Sequence, residues 1–197
     1  MRPDTVFLAA VALIATSPLL LVLALIVRCS LGAPVLFRQQ RSGKGGRVFT
    51  MVKFRTMTDA RDANGELLPD KARTPPIGRF LRRTRLDELP ELWNILRGEM
   101  AFIGPRPLLP ETIAEAGERG RIRGSILPGL TGWAQVNGNA RLSHERKIEL
   151  DLWYVRNRSF RLDLYILMKT VMVMLVGERI GSPSLEERHA GDRHRSG

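Results

Sequence analysis

Thr5 to Val27 reads TVFLAAVALIATSPLLLVLALIV, 23 residues without a charged side chain. As a helix, such a run is long enough to span the hydrocarbon core of a bilayer. It therefore belongs to a membrane segment or to a leader that is removed. A secretory leader has a basic start, a shorter apolar core and a small-residue cleavage site. Here Arg2 is followed by Asp4, and the run ends in Val-Arg-Cys-Ser-Leu. Retention as a membrane segment is the expectation.

Ser17-Pro18 sits near the middle of the run. Proline lacks an amide donor and clashes with the preceding turn, so a kink is expected there. The carbonyl it frees needs a partner in lipid, which the Ser17 hydroxyl or buried protein can supply. A sharp break would let the segment enter and leave by one face, whereas a mild kink leaves an ordinary spanning helix. Arg28, Arg38, Arg41, Lys44 and Arg47 follow the run, and only Arg2 precedes it. The positive-inside rule places the bulk of the chain in the cytoplasm.

The remaining length is enough for one compact domain with a real core. A net charge of +11 over 197 residues calls for an anionic partner. Nucleic acid, anionic headgroups and phosphorylated small molecules all satisfy that. Cys29 is the sole cysteine, so no intrachain disulfide can form, and there is no zinc-type ligand cluster.

Val35 to Gln40 and Val48 to Phe54 read as two short strands, with Ser42 to Gly46 as the turn of a β-hairpin. The glycine-rich turn could cradle a phosphate, but it lacks P-loop spacing and a simple hairpin loop is the better reading. Thr58 to Pro76 reads as a polar surface loop. Pro110 to Glu118 and Ser143 to Arg156 are helical candidates, the second with Ser143 as its cap. Leu127 to Gly138 is too rich in glycine and turn residues for a long element. Leu162 to Val176 is a strongly apolar helix, too short to span comfortably. Tyr165, Lys169 and the preceding aromatics fit an interfacial position, and a buried core helix fits equally. Gly181 to Gly197 is polar and expected to be disordered. The fold class is α+β, predominantly α. Its expected parts are a membrane helix over 1–30, a catalytic domain over 31–180 and a tail over 181–197.

The chemistry concentrates in RRTRLDELPELWNILRGEMAFIGPRP, Arg82 to Pro107. Thr84 with Asp87 has the form of a capping box; alternatively Asp87 is itself the N-cap, with Pro90 in the first turn. Either way Asp87 and Glu88 open a helix that buries Leu89, Leu92, Leu96 and Trp93 and stops at Gly98. A helix N-terminus beside Arg82, Arg83 and Arg85 favours ionised carboxylates and attracts phosphate. An ionised Asp87 can attack phosphorus to give an acyl phosphate. Glu88 is then the natural ligand for a divalent cation such as Mg²⁺. Arg106, stiffened between Pro105 and Pro107, can grip phosphate oxygens bidentately. Lys53 and Arg55 flank Phe54 and share one strand face. An Asp-Glu pair in a helix first turn is more often plain capping, so the chemistry rests on this combination.

These blocks resemble the bacterial sugar transferase family, and within it the small monotopic phosphoglycosyl transferases that act on polyprenol phosphate. The resemblance is carried by Ser17-Pro18, by KFRTM at Lys53 to Met57 and by Arg83 to Pro107. PGLTGWAQVNG at Pro128 to Gly138 and Lys147 to Val171 extend it. It implies a re-entrant helix broken at Ser17-Pro18, amphipathic helices at the interface, and a catalytic face on the cytoplasmic side of the bacterial inner membrane. It implies that Asp87 attacks the β-phosphate of a UDP-sugar and releases UMP. The sugar phosphate then passes to polyprenyl (undecaprenyl) phosphate, beginning glycoconjugate assembly. Glu88 and Asp87 carry over as the Mg²⁺-associated dyad and Arg106 as a phosphate contact. Lys53, Arg55 and Arg85 fall near the site, and Gln135 and Asn137 hold the nucleotide. The larger relatives carry further membrane helices and another domain, so this chain resembles the minimal catalytic unit. Two rivals remain: a membrane-tethered basic nucleic-acid-binding module, for which no recognised motif speaks, and a non-catalytic membrane scaffold.

Overall fold

The computed structural model describes residues 3–176. The tail read at 181–197 lies outside the described residues. Helix α1 runs from Pro3 to Leu31 with Pro18 inside it. Pro18 has no amide for the Ile14 carbonyl one turn back, and the Ser17 hydroxyl donates to that carbonyl instead, at 2.7 Å. Thr16 donates likewise to Ala12, at 2.7 Å. The two hydroxyls keep the helix continuous where proline would leave a bare carbonyl. Gly32, at φ 78°, ends it.

Strands β1 (Leu36–Ser42) and β2 (Val48–Phe54) form the expected antiparallel hairpin, from Leu36 opposite Phe54 to Ser42 opposite Val48. A 3-10 turn over Lys44–Gly46 joins them, with Gly45 and Gly46 at positive φ. Gly43 donates its amide to the Arg47 carbonyl and Gly45 to that of Gly124, at 2.8 Å each. The turn is thus a hairpin loop pinned to the body rather than an open cradle of amides.

The loop after β2 holds one short helix, α2 (Asp70–Arg73). The chain then forms α3 (Pro76–Thr84), which the loop reading stopped short of. Pro76 opens it at a position where proline is preorganised. Gly78 lies so close to Thr56 that a Cβ would overlap its carbonyl. Arg85 follows in the left-handed region, φ 56°. A 3-10 helix then spans Leu86–Glu91 and leads into α4 (Leu92–Leu96). Neither expected cap is present: the Thr84 hydroxyl turns back to Phe80, and Arg85 rather than Asp87 precedes the helix. Trp93 is half-exposed rather than buried, because the change from three to 3.6 residues per turn rotates it off the stripe. Leu92 and Ile95 are buried, and Gly98 at φ 78° ends the segment as expected.

Strand β3 (Ala101–Ile103) pairs in parallel with β4 (Gly129–Thr131). Between them lie α5 (Pro110–Glu115) and α6 (Gly117–Arg123). After β4 come α7 (Trp133–Val136), α8 (His144–Asn157) and α9 (Phe160–Val176). Ser143 caps α8 as read, its hydroxyl accepting from the Arg146 amide at 3.2 Å. The fold is mostly helical, with a small antiparallel hairpin and one long apolar helix.

Three apolar clusters hold it together. Trp133, Leu150, Tyr154, Leu162 and Ile166 join α7, α8 and α9. Ala9, Phe49, Met51, Leu92, Ile95 and Met100 join the N-terminal half of α1 to β2 and α4. Leu23, Val27, Phe54 and Leu81 join its C-terminal half to the hairpin and α3. Truncating Ile95 to alanine removes a side chain with no exposed surface, at a cost of about 2–5 kcal/mol. The other face of α1 is bare: Phe7, Ile14, Leu21 and Leu25 are each more than 60% exposed. The outer face of α9 is bare too, at Leu164, Met168, Met172 and Leu175. So α9 satisfies both of its readings, with one side in the core and the other an unpartnered apolar stripe.

Candidate active site

The positive φ at Arg85 turns the chain sharply after α3, and the 3-10 helix that follows points its acids inward. Arg85 does this with its backbone, its amide donating to Arg82 and its carbonyl accepting from Glu88. A non-glycine residue held there stores about 1 kcal/mol or more of strain. In a 3-10 helix residues three apart eclipse, so Glu88, Glu91 and then Asn94 line one inner edge. All three are buried, as is Asp87. Asn94 is the tie: its side chain accepts from the Val52 amide at 3.1 Å and donates to the Thr50 carbonyl at 2.8 Å. It thereby occupies the free edge of β2, the strand that carries Lys53, and fixes that strand against the acids.

Arg106 approaches from the Gly104-Pro105-Arg106-Pro107 turn after β3, and its Nη2 lies 2.6 Å from Glu88 Oε1. Lys53 comes from β2, its ammonium 5.5 Å from the ring of its cross-strand neighbour Phe37. Burial pushes the Asp87 carboxyl up to about 6, Glu88 adding to the rise and Lys53, Arg106 and Arg82 opposing it. The cations favour ionised Asp87 as expected, but desolvation outweighs them and leaves the carboxyl above its usual range. Burial lowers Lys53, with Asp87 pulling the other way. Glu88 drives Arg106 upward, so this guanidinium stays charged. Behind the pair lies Glu91, pushed up to about 8 by burial and then by Glu88. Arg41 of β1 is lowered by burial and by Arg106, and Glu91 draws it back. The centre therefore packs Asp87, Glu88 and Glu91 against Lys53, Arg41, Arg82 and Arg106. Such a centre has positive charge to spare for an incoming phosphate, the more so while Glu91 holds its proton.

The sequence profile described as bacterial sugar transferase matches residues 3–177, nearly the whole chain. The chain belongs to the bacterial sugar transferase family. It is 49% identical over 165 residues to the uncharacterized sugar transferase EpsL of Bacillus subtilis (strain 168), covering 84% of this chain and 82% of that protein. It is 42% identical to the undecaprenyl-phosphate glucose phosphotransferase of Komagataeibacter xylinus, over 81% of this chain and 32% of that one. It is 36% identical to a UDP-N-acetylgalactosamine-undecaprenyl-phosphate N-acetylgalactosaminephosphotransferase of Aeromonas hydrophila, over 89% and 44%. The chain thus spans less than half the length of these last two relatives.

Within this member of the family, the structure gathers Asp87, Glu88, Arg106 and Lys53, while Arg55, Gln135 and Asn137 bond elsewhere in the fold. Arg55 binds the Met57 and Ala33 carbonyls and Asp59, stitching the end of α1 to the loop after β2. Arg85 serves the turn before the acids. Gln135 is buried and donates to the Leu130 carbonyl at 2.9 Å. Asn137 donates to the Trp133 carbonyl at 2.8 Å and accepts from Lys169 at 3.0 Å. Glu91, Arg41 and Asn94 were missed. The first and last were legible as a three-residue repeat, 88-91-94; Arg41 meets them only through the hairpin.

Proposed function

We propose that the chain is a polyprenyl-phosphate sugar-1-phosphate transferase, and that Asp87 is its nucleophile. Similarity to relatives named for UDP-sugar and undecaprenyl-phosphate chemistry supports the substrates. The observation that carries the reading is the buried Asp87-Glu88 pair with Arg106 2.6 Å from Glu88 and with Lys53 near enough for its charge to favour ionised Asp87. An Asp87 oxygen attacks the β-phosphorus of the UDP-sugar. The bond from that phosphorus to the bridging oxygen breaks, and UMP leaves with the oxygen. An oxygen of polyprenyl (undecaprenyl) phosphate then attacks the same phosphorus and displaces Asp87. The product is polyprenyl diphosphate sugar, and the carboxylate is regenerated.

Arg106 and Lys53 hold phosphate oxygens, and Arg106 keeps Glu88 aimed at the same point. Among the described residues no three side chains form a metal cage. Two adjacent carboxylates do fit Mg²⁺, which takes few protein oxygens when it shares a substrate's phosphates. Asp87 and Glu88 would hold it, and it would supply charge neutralisation between the nucleophile and the diphosphate.

Helix α1 is long and apolar enough to cross a membrane by length and composition. A re-entrant course in the inner membrane, with the site on the cytoplasmic face, accounts better for its packing. Ala9 and Val27 both rest on the domain core, roughly 27 Å apart along the helix. A straight crossing would carry the hairpin, with Arg38, Gln40 and Thr50, through the bilayer beside it. A shallow course bending at Ser17-Pro18 leaves the bare faces of α1 and α9 in one leaflet.

Incubation with labelled UDP-sugars, polyprenyl phosphate and Mg²⁺ tests the reaction. UMP release and a lipid-soluble labelled product are expected. Salt-sensitive DNA binding without turnover would replace the enzyme by the nucleic-acid module. A cysteine at position 2 that reacts with reagent outside intact cells would sink the re-entrant course.

A further inference from the structure

Away from the carboxylates lies a second ion pair, and it is closed to solvent. Arg123, the last residue of α6, is 4% exposed and Asp151 of α8 is 2% exposed. Arg123 Nε and Nη2 reach Asp151 Oδ2 at 2.9 and 2.7 Å. The same Nη2 also donates to the main-chain carbonyl of Arg106. One fork of Arg123 thus spans two acceptors, a carboxylate on α8 and the peptide group of the residue that grips Glu88.

Buried ion pairs are poor stabilisers, because desolvating two charges offsets their attraction; well-packed apolar side chains of similar volume often do as well or better. What an apolar pair cannot do is donate to the Arg106 carbonyl. The rest of that turn is held by its backbone. Gly104 donates to the Thr131 carbonyl and Gly129 to that of Pro105, both at 2.9 Å. A Cβ at Gly104, Gly129 or Gly132 would overlap neighbouring backbone, which brings the turn and the β4 segment into direct contact. Pro105 and Pro107 fix φ on either side of Arg106. The Arg106 carbonyl of the turn reaches past β4 to another element, and Arg123 takes it.

We propose that Arg123 is a positioning residue for Arg106, and that Asp151 holds Arg123 in the orientation this needs. The pair sets where the Arg106 guanidinium meets Glu88, and hence where a diphosphate is held. The claim about the diphosphate rests on the function proposed above; the claim about the turn does not.

The test uses the full chain in detergent micelles. A single Arg123→Met leaves a buried carboxylate unpaired and is expected to destabilise strongly. The informative variant is therefore Arg123→Met with Asp151→Leu, which removes both charges. Its melting temperature is expected to return to within a few degrees of the parent. Hydrogen exchange at the Gly104 and Gly129 amides is nevertheless expected to be at least about tenfold faster, and KM for the UDP-sugar at least about tenfold higher. Arg123→Lys is the second variant, for use if the double one does not fold. It keeps the charge but not the fork, and the same exchange and KM defects are expected. Parent-like exchange at both amides in a folded variant overturns the positioning role, whatever the activity. Faster exchange with unchanged KM overturns the link to the diphosphate alone. A parent protein that releases no UMP refutes the transferase reading, and the exchange measurement then still decides the fate of the turn.

Discussion

Two motif-dense stretches sit side by side in this molecule and use their polar side chains in opposite ways. In Pro128 to Gly138, Gln135 donates to the Leu130 carbonyl, though its Oε1 is left without a partner, and Asn137 bonds both the Trp133 carbonyl and the approaching Lys169. Trp133 stacks on Trp153 with ring centroids 5.0 Å apart, and the unit is a core. In Arg82 to Pro107, Asp87 and Glu91 are buried among cations, and both carboxyls are driven upward. Neutral buried polarity bonded within one corner builds a scaffold; buried ionisable groups crowded beside cations mark a place prepared for a ligand. Residue type separates the two only in part: Pro128 to Gly138 carries no charged side chain and Arg82 to Pro107 is rich in them, but which of those charges are buried together is decided by the fold.

The sharpest way to break this contrast is at Asp87. Asp87→Asn keeps the shape but not the nucleophile, and turnover is expected to fall by about a thousandfold or more in a UMP-release assay. Full activity in this variant would place the tension of the site in some other service.

Acidity gives the next largest effect. A protonated carboxyl is no nucleophile, and Asp87 takes its proton near pH 6 in the free protein. The rate of adduct formation from donor alone is expected to fall about tenfold per pH unit below that limb and to level above it. A bound divalent cation favours the ionised form, so added Mg²⁺ moves the limb to lower pH. A pH profile at two Mg²⁺ concentrations checks both directions.

The scaffold half of the comparison predicts the reverse pattern. Asn137→Ala strands the buried Trp133 carbonyl and removes the partner of Lys169. It is expected to cost about 1–3 kcal/mol of stability and to leave KM for the UDP-sugar within about twofold. A large KM change with little loss in a thermal melt would return Asn137 to the nucleotide site.

The effect at Glu91 is on stability and its pH dependence. In the folded protein it keeps its proton to about pH 8, whereas in the unfolded chain it loses it near the usual 4.5. Between those values only the unfolded state releases the proton, so this residue's contribution to stability falls as pH rises. Glu91→Gln is neutral throughout and lacks that slope. It is expected to match the parent below pH 4 and to become progressively more stable than the parent as pH rises toward 8. Melting curves across that range measure the difference.

Most of the local signals held, although neither cap read for the segment that opens with Asp87 is present. The hairpin, its glycine turn, the Ser143 cap and the Gly98 stop all depend on residues a few positions apart, and all were legible. The long apolar helix was too, down to the hydroxyl of Ser17 standing in for the missing proline amide. The Asp87-Glu88 pair, Arg106 and Lys53 could be named as the chemical centre because their types and flanks are written in sequence. Three things were settled only in the folded chain: the left-handed Arg85 that turns the acids inward, the parallel pairing of β3 with β4 that brings up Arg106, and the acidity of Asp87. Each is a property of contact between segments far apart in the chain. Periodicity and capping report on one turn of backbone, while desolvation and strand pairing depend on what arrives from elsewhere to exclude the water.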